Sequence, residues 1–252
     1  YLFSLSTIKK VLSMVITNYQ SLLSNIFDLY DNNICFFNLE PENILFYKNR
    51  PIMIDFQQTF VTQTYHSTTS LTIFQDHFYS FIMKKTNLIY YPIEIHLFYH
   101  MIEKQVDILT YDMIESIYDS FISQLSILTF FSEAYSKKYR QVCYGFLEKY
   151  LNKDKTLILN EIIPFSYTWD NYSLSIIFIH LIGSFIRVSG IKETFLNDLL
   201  TILSKNIHPS PSKREKINYN MEQLDILFKK HQNWDFIEKL DKIPIERLFD
   251  IL

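Results

Sequence analysis

The sequence predicts a mostly helical protein, and three observations carry that prediction. Apolar residues recur at helical spacing through most of the chain, only one pair of short apolar runs reads as strands, and the 252 residues hold just 3 glycines. From Leu5 to about Tyr30 the apolar set Ile8, Val11, Leu12, Val15, Ile16, Tyr19, Leu22, Leu23, Ile26, Phe27 and Tyr30 marks one long amphipathic helix. It ends at the turn-forming Asp31, Asn32 and Asn33. Next, Asn43 to Tyr47 and Ile52 to Phe56, joined by Lys48, Asn49, Arg50 and Pro51, predict a small antiparallel hairpin. Thr59 to Thr72 is rich in Thr, Ser and Gln without a period and reads as an extended loop. Helices are expected over Asp76 to Lys85, Ile93 to Leu109, Asp112 to Tyr150, Asn171 to Val188, Lys192 to Lys205, Asn220 to His231 and the last turns after Ile243. Breaks are expected at Pro92, Pro164, Gly190, Pro209 and Pro211. No internal repeat, charge block or Gly/Ser linker divides the chain, so one domain over residues 1–252 is expected, with residues 112–150 as a candidate helical insertion.

Composition removes several function classes. With 48% hydrophobic residues, 18 Tyr and 22 Phe, the chain is globular. Gly145, Gly183 and Gly190 are the only glycines, so neither G-x-G-x-x-G nor G-x-x-x-x-G-K occurs. Lys and Arg (24) nearly balance Asp and Glu (27) and are scattered, which argues against nucleic acid as a partner. Cys35 and Cys143 form no C-x-x-C pair, which fits a reducing, intracellular compartment. The most apolar stretch, Ser173 to Ile186, is too short for a membrane span and carries His180. The chain opens on Tyr1 rather than Met, so it is expected to be a piece of something longer. Its excess of Ile, Asn, Tyr, Phe and Lys is the bias of an AT-rich genome.

The segment Phe36-Phe37-Asn38-Leu39-Glu40-Pro41-Glu42-Asn43-Ile44-Leu45, followed by Ile52-Met53-Ile54-Asp55-Phe56-Gln57, resembles the catalytic loop and magnesium-binding hairpin of a protein kinase. Asn38 stands where that family has its base Asp, Asn43 matches a magnesium-binding Asn, and Asp55 the Asp of D-F-G. A side-chain carbonyl and a carboxylate brought together by a hairpin are the hard-oxygen donors that phosphate-bound magnesium requires. Further segments match in chain order. Trp169-Asp170-Asn171-Tyr172-Ser173-Leu174 looks like the family segment whose buried Asp, here Asp170, ties a helix to the catalytic loop. Pro209-Ser210-Pro211-Ser212-Lys213-Arg214 resembles the late motif whose Arg, here Arg214, pairs with the Glu that closes the activation segment. Pro92-Ile93-Glu94 is the candidate for that closing motif, one residue away from the family pattern, and Asp76 is a rival for the buried Asp. The resemblance implies a kinase-like C-terminal lobe without its N-terminal lobe. Degenerate kinase-like proteins of this composition look like those encoded by large nucleocytoplasmic DNA viruses.

The departures bear on activity. The amide of Asn38 cannot take a proton from a substrate hydroxyl as a carboxylate does. Phe36 and Phe37 replace His and Arg, Glu40 replaces a Lys that would face the transferring phosphoryl group, and Gln57 replaces the D-F-G glycine. No Gly-rich loop or strand Lys is present. The expected function is therefore a catalytically inactive kinase-like module that binds proteins or builds a structure, with no cofactor. Its protein partners would be its own upstream region or capsid proteins, in the host cytoplasm or a virion. The alternative is a Ser/Thr kinase lobe whose ATP and magnesium site is completed upstream, and a third reading is a helical building block of a virion shell.

Other groups carry less. His96 and His100 lie one helical turn apart without an H-E-x-x-H pattern. His66 and His77 lack a nucleophile elbow. Thr59, Thr62, Thr64, Ser67, Thr68, Thr69 and Ser70 occupy the place of an activation loop, yet Phe37 replaces the Arg that would receive a phosphate there.

Overall fold

The computed structural model describes residues 8–48, 50–62, 78–80, 88–189 and 194–231. Among them the chain is mostly helical. The first helix, α1 (Ile8–Asp31), buries Leu12, Val15, Ile16, Tyr19, Leu22, Leu23 and Ile26 along one stripe. It is followed by β1 (Ile34–Cys35), the loop that carries Asn38, and the hairpin of β2 (Ile44–Tyr47) and β3 (Arg50–Met53). The hairpin pairs Ile44 with Met53 and Tyr47 with Arg50, so its turn is tight, and Lys48 takes a φ of 47°, in the left-handed region such turns use.

The second strand is shifted against expectation. It begins at Arg50 and ends at Met53, because Asp55 adopts a left-handed φ of 62° and turns the chain into a 3₁₀ turn over Phe56–Gln58. Residues 59–62 are not wholly a loop either. Within them β4 (Phe60–Val61) pairs antiparallel with β1, Cys35 opposite Phe60. Thr64, His66, the Ser/Thr cluster of residues 67–70, Asp76 and His77 lie outside the described residues, as do the expected turns after Ile243 and most of the helix expected over residues 76–85.

After Pro92, whose fixed φ suits a helix start, α2 (Ile93–Glu103) is shorter than expected, since Gln105 turns left-handed and Leu109 hydrogen-bonds with Asn152 and Lys153. The block from residue 112 to 150 is two helices. α3 (Tyr111–Gln124) stops where Leu125 takes a ψ of 66°, and α4 (Glu133–Glu148) restarts where the Ser132 hydroxyl accepts the Tyr135 N–H. A helix not anticipated, α5 (Lys155–Ile162), starts from the Asp154 cap and runs into a 3₁₀ stretch across Pro164. α6 (Trp169–Ser189) then passes through the centre against α1 and α7 (Thr194–Asn206), with α8 (Ile217–Lys230) closing over α1 and α7. From Thr168 to Ile179 every residue of this central stretch is buried, the polar Thr168, Asp170, Asn171, Ser173 and Ser175 included, so no solvent-facing stripe remains there. No helix among the described residues is long and apolar enough to cross a membrane.

Candidate functional site

The site is assembled on the first turn of α6. Asp170 is buried there, and its two carboxylate oxygens accept the backbone N–H groups of Phe36 and Phe37, each at 2.7 Å. Burial pushes its carboxyl up to about 6, while the two N–H groups and the Cys35 thiol pull it back. The same burial, with the Asp170 charge beside it, pushes the Cys35 thiol up. Phe37 has a φ of 64°, an uncommon conformation for an aromatic residue, and the hydrogen bond from its N–H to Asp170 helps to hold it. Its ring lies among Phe60, Phe78, Tyr91 and Trp169, with centroids 5.4–5.9 Å away. Where the resembled family carries a cation, this chain packs aromatic rings.

Phe37 is followed by Asn38, which is also buried. Its Nδ2 donates to Asp55 Oδ2 at 2.7 Å, and its carbonyl accepts the Asn43 side-chain amide at 2.9 Å. Asn43 is held in turn by the hairpin, since its carbonyl accepts the Ile54 N–H at 2.9 Å. Asn38, Asn43 and Asp55 therefore form one hydrogen-bonded group, with Asn38 as the link. Beside Asp55 the Phe56 ring meets Phe36 edge-on at 4.9 Å. Glu40 is half-buried and accepts the Tyr91 hydroxyl at 2.7 Å; burial together with Glu40 pushes that phenol far up.

An acceptor-only carboxylate requires the amide N–H of Asn38 to face it, and an N–H is the wrong group to present to a cation. The donor set has one carboxylate and one amide oxygen, with that N–H placed at the carboxylate. It fits magnesium poorly as arranged. No group of three or more His, Cys, Asp or Glu residues suited to a metal occurs among the described residues. His96, buried, is hydrogen-bonded through Nε2 to the Leu88 carbonyl at 3.0 Å and meets the Phe121 ring at 4.8 Å; burial pulls it down to about 4.

Below the loop, Glu94 and Arg214 meet in a buried bidentate pair at 2.5 and 2.7 Å. Trp169 Nε1 also donates to Glu94 at 3.0 Å, and Arg214 donates to Thr168 Oγ1 at 3.1 Å and the His208 carbonyl at 2.8 Å. The guanidinium lies 4.9 Å from the Tyr172 ring centre. Asp170, Trp169 and Thr168 thus join the ion pair and the loop through three consecutive residues. Sequence reading missed Trp169, Thr168 and Tyr91 as members of these networks. For Trp169 the signal was available: a buried indole N–H needs an acceptor, and this one precedes Asp170 directly.

No protein family, no curated protein and no solved structure matches the chain.

Proposed function

We propose that the chain is a kinase-like lobe without phosphotransfer activity that serves as a binding or structural module in the host cytoplasm or in a virion. The observation that carries this reading is the hydrogen bond from Asn38 to Asp55. At the place where the resembled family abstracts a proton, this chain presents an amide whose N–H is already given to the neighbouring carboxylate, so no lone pair of comparable basicity faces a substrate. Glu40, hydrogen-bonded to Tyr91, adds negative charge where a phosphoryl group would need positive charge. Phe37 packs among aromatic rings where the resembled family has a cation, which further supports a module that does not transfer phosphate.

The test is radiolabel transfer from ATP with magnesium, using the 252-residue chain. No incorporation is expected. Incorporation that disappears in Asp55→Ala overturns the inactive reading.

A further inference from the structure

We propose that the cavity between α1, α6 and the inner face of the β2–β3 hairpin binds a neutral, mainly aliphatic small molecule whose single hydroxyl group is held by Asn18. The site does not depend on the kinase-like reading.

The cavity has a volume of about 340 Å³, within the roughly 300–1,000 Å³ of small-molecule sites. Its walls include Val15, Asn18 and Leu22 of α1, Ile177 and Leu181 of α6, and Phe46 of β2. The hairpin register shows that the protein's own side chains leave this space open. Ile44 pairs with Met53 and Phe46 with Pro51, so these four side chains share the inner face. Pro51 and Met53 are buried, yet Phe46 remains 44% exposed. One part of the inner face is packed, and the part carried by Phe46 overhangs the cavity.

Asn18 shows what the space accepts. It lies between Val15 and Leu22 on the core-facing stripe of α1, where helical spacing otherwise places apolar side chains, and it is only 4% exposed. Its Oδ1 has no hydrogen-bond partner among the described residues, and a buried polar atom left in that state is rare in a native protein. Water is a poor remedy. A buried water needs about two to four polar partners, and Asn18 is the sole polar side chain among the described lining residues.

Charge and polarity then define the ligand. No charged side chain is among those lining residues, so an anion or a cation would enter without a counter-charge. A neutral ligand avoids that cost. A hydroxyl answers the carboxamide either way, donating to its oxygen or accepting from its N–H, while a hydrocarbon chain answers the apolar walls. A polypeptide segment suits the space less well, because its backbone brings an N–H and a C=O at each residue and the lining offers one side-chain amide to receive them.

Ligand-observed NMR titration of the 252-residue chain with n-octanol tests the site, with octanoate and octylammonium as charged counterparts of the same chain length. Saturable uptake of n-octanol is expected, at least about tenfold tighter than that of either ion. Asn18→Leu keeps the size of the side chain and removes the amide, and it weakens n-octanol binding by about fivefold or more. Leu181→Trp, or Val15→Phe should the first variant fail to fold, fills the cavity and abolishes uptake with an unchanged circular dichroism spectrum. Absence of saturable n-octanol binding overturns the proposal, and so does octanoate bound as tightly as the alcohol. Binding that is unchanged in Asn18→Leu, or unchanged in the cavity-filling variant, overturns it as well. A chain that takes up no alcohol but self-associates in sedimentation velocity, and loses that association in Leu181→Trp, gives the cavity to a polypeptide instead.

Discussion

Asp170 reaches back more than 130 positions to take the N–H groups of Phe36 and Phe37 on its two carboxylate oxygens, and Phe37 has a left-handed backbone there. Removing the carboxylate strands two buried donors at about 1–3 kcal/mol each and leaves the Phe37 conformation without that support. Asp170→Ala is therefore expected to cost about 2–6 kcal/mol in chemical denaturation. Asp170→Asn costs less, since its amide oxygen still serves one N–H. Equal losses for the two variants would show that the paired acceptance contributes little.

Arg214 and Glu94 form an ion pair with both side chains buried. The pair is shielded from water, and the Trp169 N–H, Thr168 hydroxyl and His208 carbonyl add hydrogen bonds to it. Arg214→Ala leaves the Glu94 charge buried, at an expected cost of about 3–5 kcal/mol. Glu94→Gln with Arg214→Met removes both charges and is expected to lose less than Arg214→Ala alone, because neither charge is then stranded. Denaturant midpoints of the single and double variants measure the difference.

What the sequence revealed and what it hid follow from the range of each interaction. The long stripe of α1, the hairpin, and the start of α2 after Pro92 depend on near neighbours, and their residues announce them. The β1–β4 pairing of Ile34–Cys35 with Phe60–Val61 is too short to have a period and is set by Phe37 and Trp169 packing against Phe60. The break at Leu125 looked like continuous helix because apolar residues continue through the 3₁₀ turn at Ser126–Phe130. Conversely, Pro164 was read as a simple break, whereas Pro at the start of a 3₁₀ turn continues the helical path. Asn38 was legible as a departure from a motif. Its donation to Asp55 was not, since it depends on the left-handed turn at Asp55.

The pH dependence of stability is expected to contain two opposed contributions. His96 is pulled down to about 4, so the unfolded chain binds its proton first, and the stability this site contributes above about pH 6.5 is lost as pH falls toward 4. Asp170 is pushed up to about 6, so the folded state holds its proton longer, and the stability it contributes below about pH 4 is lost as pH rises through 6. Each amounts to roughly 3 kcal/mol at about 1.4 kcal/mol per unit, and over this window they largely cancel. His96→Phe removes one of them. Relative to the parent, it is expected to be about 3 kcal/mol less unfavourable at about pH 4 than at about pH 7.5, whatever the fixed cost of losing the Leu88 hydrogen bond. Parallel stability-versus-pH curves for variant and parent would exclude this balance.

The same comparison of charge and partner decides what Asn38→Asp does. In the present chain Asn38 supplies Asp55 with an N–H across 2.7 Å, filling with a neutral donor the place a cation takes between two carboxylates. An aspartate there brings two carboxylates to hydrogen-bonding distance, and such a pair cannot both ionise without a proton or a cation between them. Near neutral pH the variant loses the hydrogen bond to a charged group, worth about 1.5–3 kcal/mol, and gains repulsion in its place. Two remedies exist: a proton shared between the two carboxylates at lower pH, or a divalent cation seated where the amide N–H had been. Thermal melting of Asn38→Asp is therefore expected to fall below that of the parent at neutral pH and to recover on acidification or with millimolar magnesium, while the parent responds little to magnesium. A variant as stable as the parent at neutral pH without added cation would mean that the Asn38 to Asp55 contact does not hold the loop, and the inactive reading would lose its main support.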